Sequence, residues 1–183
     1  FAAWMLNPLC LWLSPVAIFF LAIYSYCKRF TSMAHVILGL CLGAAPIGAW
    51  IALRGDIGWP VIVLGLAVLF WVAGFDIFYA LQDYEYDRQK QLFSIPARFG
   101  VKRSFLIARV FHVIMVVLLL LLLFSNGLGM IYLCGVLVVA GLLAYEHMLV
   151  CPDDLSRLDA AFFNMNGYIS VTIFCFTLVD ALV

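Results

Sequence analysis

The 183 residues are 67% hydrophobic and 11% charged, with ten basic and ten acidic side chains and no net charge. A soluble domain averages about 45–50% apolar and ~25% charged residues, so this composition excludes a water-soluble globule and requires a bilayer as solvent. Neutrality also excludes a nucleic-acid partner, which demands a basic face for its phosphates.

The chain opens on Phe1 inside an apolar stretch, with no initiator Met and no basic region ahead of it, so no signal peptide is expected. Such an opening is expected of a cut within a longer protein. Residues 1–6 are expected to be the tail of an earlier span, turned by Asn7 and Pro8. Six apolar segments follow, over residues 9–27, 33–53, 58–80, 104–124, 129–149 and 162–182. Each is near the ~20 residues that a helix needs to cross a bilayer. Strands of a membrane barrel would alternate in polarity; the unbroken run from Val116 to Leu123 does not, and helices are predicted throughout. The expected fold class is an all-α integral membrane bundle with about six complete helices, spread over 1–183 without a separate soluble domain.

The loops set a topology. Lys28 and Arg29 follow the first complete helix; Arg88, Lys90, Arg98, Lys102 and Arg103 follow the third, with Arg109 just inside the next; Arg157 follows the fifth. Arg54 alone falls on the opposite side. Basic residues accumulate on the cytoplasmic side of membrane proteins, which places these three connections in the cytoplasm. Gly39, Gly43, Gly48, Gly65 and Gly74 are expected to allow close helix approach, and Pro46 to kink its helix without ending it. Cys10, Cys27, Cys41, Cys134, Cys151 and Cys175 are scattered singly and read as small apolar filler. His35, His112 and His147 form no ligand pair at helical spacing and receive no chemistry.

The third helix carries the chemistry. Its end reads Gly-Phe-Asp-Ile-Phe-Tyr-Ala-Leu-Gln-Asp-Tyr-Glu-Tyr-Asp-Arg over 74–88. On a continuous helix Asp76, Asp83 and Asp87 project within about 40° of one another, and aligned carboxylates at a membrane surface require cations. Asp83 and Asp87, one turn apart, suit a hard divalent ion such as Mg²⁺, which takes one or two carboxylates plus substrate phosphates. Glu85 points elsewhere and reads as a solvated helix end. On the same side, Tyr24 and Lys28 share a face near the end of the first full helix. A phenol and an ammonium opposite carboxylate-bound Mg²⁺ make a cage suited to a diphosphate.

These clusters, in this order, resemble the UbiA superfamily of intramembrane prenyltransferases, and most closely the bacterial branch that prenylates 4-hydroxybenzoate. The matching stretches are Tyr-Ser-Tyr-Cys-Lys-Arg-Phe-Thr (24–31), Leu-Gly-Ala-Ala-Pro-Ile-Gly-Ala-Trp-Ile-Ala (42–52), the aspartate segment (76–87), Ser-Ile-Pro-Ala-Arg-Phe-Gly (94–100) and Asn-Met-Asn-Gly (164–167). The resemblance implies a helix bundle around a cavity open to the cytoplasm and to lipid, in a multi-pass protein of the bacterial inner membrane. It implies transfer of a polyprenyl group from an allylic polyprenyl diphosphate to an aromatic acid, with Mg²⁺ held by Asp83 and Asp87. By the same resemblance Lys28 and Tyr24 bind the diphosphate, and Asp76 steers the phenolic acceptor or takes its proton. Tyr79 is expected to stabilise the allylic cation, and Arg29 to pair with the acceptor's carboxylate. The family's first motif, Asn-Asp-x-x-Asp-x-x-x-Asp, does not occur in this sequence. Half of the metal–diphosphate site is therefore expected outside these residues, and the chain alone is expected to be inactive.

Two alternatives stay open. A (di)hydroxynaphthoate acceptor, as in menaquinone rather than ubiquinone synthesis, would use the same motifs. A membrane ion or proton transporter would also place an acid such as Asp76 within a span, although transporters tend to hold such acids near the midplane on broken helices.

Overall fold

The computed structural model describes residues 1–124, 127–150, 158 and 164–183. Helices α1 (Ala2–Leu6) and α2 (Pro8–Tyr24) are separated by Asn7, whose extended backbone breaks the apolar run and whose Oδ1 accepts the Cys10 N–H at 2.9 Å. Pro8 follows at the first helical position, where its missing N–H has no consequence. Helix α3 (Ala34–Arg54) runs through Pro46 and ends on Gly55, whose left-handed φ of 73° suits glycine. Helix α4 (Trp59–Ala80) is followed by the short α5 (Tyr84–Gln89) and α6 (Ile95–Phe99), then by α7 (Val101–Leu123), α8 (Met130–Leu149) and α9 (Asn166–Leu182). No strand occurs among the described residues.

Four of these helices, α3, α4, α7 and α8, are long and apolar enough to cross a bilayer, while α2 and α9 are apolar helices of 17 residues. The six expected segments thus correspond to six apolar helices. The last was expected from residue 162, which lies outside the described residues, as do Arg157 and Cys151.

The long helices pack as neighbours in chain order, α2 on α3, α3 on α4, α4 on α7, α7 on α8 and α8 on α9. Helix α4 is the hub, with eleven buried residues. It approaches α3 closely because a methyl group on Gly39 or Gly43 would collide with the backbone of Leu69 or Gly65. Gly74 makes room for the His112 ring of α7. Gly48 has no neighbour where a side chain would project, so the expected close approach does not occur there. The interior of α4, α7, α8 and α9 is built from Ala67, Met115, Leu119, Val136, Val139 and Ile169. Outward residues of α7 such as Leu106, Val113 and Val117 stay exposed. That arrangement is costly in water and neutral against lipid tails.

At one end of the bundle, Asp180 of α9 accepts the N–H groups of Gly129 (2.7 Å) and Tyr132 (3.0 Å), capping the start of α8 from a distant element. Near that end Arg54 stacks over Trp50 and lies 3.8 Å from Asp56. All other described basic residues belong to the opposite end, where the site lies.

Candidate functional site

The acidic segment departs from one continuous helix. After Ala80 the N–H groups of Leu81, Gln82, Asp83 and Tyr84 bond to carbonyls three residues back, at 3.1–3.3 Å. This tighter winding advances ~120° per residue instead of ~100°, so the single face expected for Asp76, Asp83 and Asp87 does not persist. The rewinding falls where Leu81 packs into the cluster of Phe78, Ile95 and Phe105, and not at a weak helix former, since Gln82 favours helix. The two lower acids consequently differ in setting. The Asp83 side chain is 51% exposed, whereas that of Asp87 is 1% exposed. Glu85 is exposed, as expected for a solvated position.

Lys28 draws these acids together. Helix α2 stops at Tyr24, and the 3-10 turn Cys27–Arg29 aims the ammonium at Asp87 Oδ2 (3.3 Å) and Asp83 Oδ2 (3.5 Å). The opposing loop is fastened to this turn: the Phe93 N–H donates to the Lys28 carbonyl at 2.7 Å, and Arg98 donates to Ser32 Oγ at 3.3 Å. Ser94 caps α6 by accepting the Ala97 N–H, and Pro96 occupies its first turn.

Asp76 lies one turn before the end of α4, and its side chain is 17% exposed. Its Oδ2 is 2.7 Å from His35 Nδ1, and the Ile95 N–H donates to His35 Nε2 at 3.3 Å. A nitrogen that accepts a hydrogen bond carries no proton, so His35 is neutral and its Nδ1–H donates to Asp76. His35 was assigned no chemistry from sequence. Its partners lie 41 and 60 residues away, and no local spacing marks such a pair. His112 Nδ1 and His147 Nε2, also unassigned, meet 3.0 Å apart between α7 and α8.

Tyr24, Lys28, His35, Asp76, Tyr79 and Asp83 line one cavity of about 180 Å³. Five of the seven residues singled out from sequence are in its wall. Asp87 joins through Lys28 and lines a separate opening of about 570 Å³ with Arg88, Gln91 and Arg98. Arg29 is in neither wall; its guanidinium lies over the Tyr26 ring, 5.6 Å from the centroid.

Asp83 and Asp87 share the Lys28 ammonium and Asp76 lies in the wall of the same cavity, while Arg88 and Arg98 line the opening beside Asp87. No cluster of three or more metal-ligating side chains occurs among the described residues. A metal here would take only the Asp83–Asp87 pair from these residues, and two carboxylates plus phosphate and water suit Mg²⁺.

Apolar helices around a cavity lined by acids and by Lys28 at one membrane face define a multi-pass membrane protein. The UbiA prenyltransferase family model matches residues 1–168, and the chain belongs to that family. It is 32% identical to a 4-hydroxybenzoate octaprenyltransferase of Nitrosospira multiformis, over 97% of this chain and 61% of the relative. It is 30% identical to the enzyme of the same description from Vibrio campbellii, over 92% and 58%. The chain thus spans about three fifths of the length of these relatives. The solved apo structure of a UbiA homolog from Aeropyrum pernix K1 superposes with a TM-score of 0.86 at 29% identity, covering 98% of this chain and 66% of that one.

Proposed function

We propose that this chain forms the second half of the active site of an aromatic prenyltransferase, moving a polyprenyl group from an allylic diphosphate to 4-hydroxybenzoate. The observation that carries this reading is the convergence of Tyr24, Lys28, Asp76, Tyr79 and Asp83 on one cavity, with Asp87 held by the same lysine. The cytoplasmic side of a bacterial inner membrane is the assigned location, from the basic residues crowding the site's end.

The chemistry separates charge. The C1–O bond of the allylic donor breaks and its electron pair leaves with diphosphate, while a ring carbon of the acceptor bonds to C1. Asp83 and Asp87 would hold Mg²⁺, which as a Lewis acid offsets the charge growing on the leaving group. Lys28 turns its ammonium to diphosphate oxygens, and Tyr24 donates a hydrogen bond to them. Asp76 takes the acceptor's phenolic proton; the O–H electron pair stays on oxygen and enriches the ring. After bond formation the ring proton leaves to the departing diphosphate or to water and Asp76 returns its proton to the phenol, so the products are prenylated phenol, diphosphate and one proton. The negative charge that proton transfer to Asp76 leaves on the phenolate, together with the face of Tyr79, stabilises the allylic cation. The other half of the diphosphate site is assigned to residues beyond these, and these residues alone are inactive.

The test is transfer from labelled polyprenyl diphosphate by the complete gene product in detergent with Mg²⁺. The expected outcome is a prenylated 4-hydroxybenzoate, with dihydroxynaphthoate a poorer acceptor. Preference for the naphthoate would reassign the acceptor. Ion flux into liposomes without a prenyl donor, and no transfer to either ring, would replace the enzyme with a transporter.

A further inference from the structure

We infer that His35 is a positioning residue for the acceptor: a neutral imidazole that ties down one oxygen of Asp76 and leaves the other to receive the phenol. The inference rests on the prenyl-transfer reading of the cavity, and it assigns a task to a residue that no motif contains.

His35 is fully buried at the first turn of α3, yet it reaches the cavity wall. Its two nitrogens are both used. Nδ1 is 2.7 Å from Asp76 Oδ2, and Nε2 accepts the Ile95 N–H at 3.3 Å. This second bond selects the tautomer. Protonating Nε2 would leave the buried Ile95 N–H facing another donor, which costs the bond and adds a donor–donor clash. The ring therefore stays neutral and donates from Nδ1. Asp76 accepts this bond through Oδ2, and that oxygen is fixed. Its Oδ1 makes no hydrogen bond to a described residue, so it is the atom left for an acceptor hydroxyl in the cavity.

The geometry also couples the acceptor to the far loop. Ile95 begins α6, next to the Ser94 cap and two residues from the Phe93–Lys28 bond. The His35 ring thus bridges α4, which carries Asp76, and the loop that holds Lys28. An unsupported Asp76 would have free χ1 and χ2 rotation, and displacement of a reacting group by ~1 Å can cost about 100-fold in rate. Donor binding relies on Lys28, Asp83 and Asp87, and the Phe93–Lys28 and Arg98–Ser32 bonds hold the lysine side without the imidazole.

A plain apolar replacement removes both bonds, whereas glutamine restores them. Its amide offers one donor and one acceptor about as far apart as the two imidazole nitrogens. The experiment uses the complete gene product with Mg²⁺, labelled polyprenyl diphosphate and 4-hydroxybenzoate, comparing wild type, His35→Leu and His35→Gln at equal folded concentration. His35→Leu is expected to lower kcat by roughly 100-fold with donor KM unchanged. His35→Gln is expected to keep kcat within a few-fold of wild type. Full activity in His35→Leu overturns the inference, as does a folded His35→Gln that is as slow as His35→Leu.

A second measurement does not depend on turnover. In imidazole-labelled protein, the resonances lost in His35→Gln assign His35 among the histidines of the complete gene product. Nitrogen shifts of a neutral ring protonated at Nδ1 are expected at neutral pH. An Nε2–H tautomer or an imidazolium overturns the inference whatever the activity. A wild type that transfers nothing to any phenolic acceptor sinks the enzyme reading instead, and the tautomer then decides the His35–Asp76 pairing on its own.

Discussion

Removal of Lys28 provides the sharpest test of how the acidic end is held. The same ammonium faces two carboxylates at nearly equal distance, 3.3 Å to Asp87 and 3.5 Å to Asp83. Distance alone would make the pairs equivalent; burial does not, since Asp87 is 1% exposed and Asp83 51%. An exposed pair contributes about 0–1 kcal/mol, while a charged hydrogen bond to a buried partner contributes about 1.5–3 kcal/mol. Lys28 is itself 34% exposed, so solvent screens part of that, and about 1–2 kcal/mol is the figure for Lys28→Met. The cost arises from an anion stranded out of water. Asp87→Asn should therefore destabilise the wild type but stabilise the Lys28→Met background, a reversal of sign within one double-mutant cycle. Thermal unfolding of the four proteins in detergent, without Mg²⁺ or donor, measures it. Additive effects, with Asp87→Asn destabilising in both backgrounds, would refute the claim that Lys28 neutralises a buried carboxylate. Asp83→Asn should shift the midpoint little in either background.

Asp83→Ala and Asp87→Ala should each abolish prenyl transfer in the complete gene product, because one carboxylate holds Mg²⁺ and diphosphate poorly; near-normal turnover in either removes them as metal ligands. Lys28→Ala should raise the donor KM, measured with saturating acceptor, and unchanged KM and kcat would take it out of the diphosphate site. Gly43→Leu should destabilise the bundle by about 1–3 kcal/mol through overpacking against the Gly65 backbone, whereas Gly48→Leu, which meets no neighbour, should melt with the wild type.

The spans were legible because crossing a bilayer is a matter of apolar length, and charged or turn-forming residues such as Lys28, Arg54, Asp83 and Gly129 mark their ends. Lys28, Asp76 and Asp83 were legible for a related reason: ionisable groups on such a chain have few places to be, and a cavity at one membrane face satisfies them all. The break after Ala80 was not legible. Carboxylates at 76, 83 and 87 fit helical periodicity, and the switch to three-residue bonding depends on how Leu81 packs with Phe78, Ile95 and Phe105 rather than on local preference. Arg29, adjacent to Lys28 in sequence, stacks on Tyr26 once the 3-10 turn sets its direction, which no local spacing announces. His35 carries no local signal because its partners are a carboxylate and a backbone N–H from two other elements, far away in sequence.

The segment 94–100, which carries much of the family resemblance, touches the candidate site only indirectly, and its physical role follows from length. Helices α5 and α6 have six and five residues, far below the ~12–15 at which an isolated helix becomes marginal in water. They hold their shape because the loop between them and α6 itself are tied at three points to residues 28–35: Phe93 to the Lys28 carbonyl, Ile95 to His35, and Arg98 to Ser32. Gln91 takes a left-handed φ of 53° where the chain reverses to reach these ties, a conformation disfavoured for a residue with a Cβ and held by its surroundings. Each tie also fixes a member of the site from behind: the first the Lys28 backbone, the second the His35 ring on Asp76, the third the turn that joins them. The acids on one side and the lysine on the other are thus positioned by a single fastening, and a substitution in the 94–100 segment should be felt as a misaligned pair of clusters before it is felt as a lost contact to substrate.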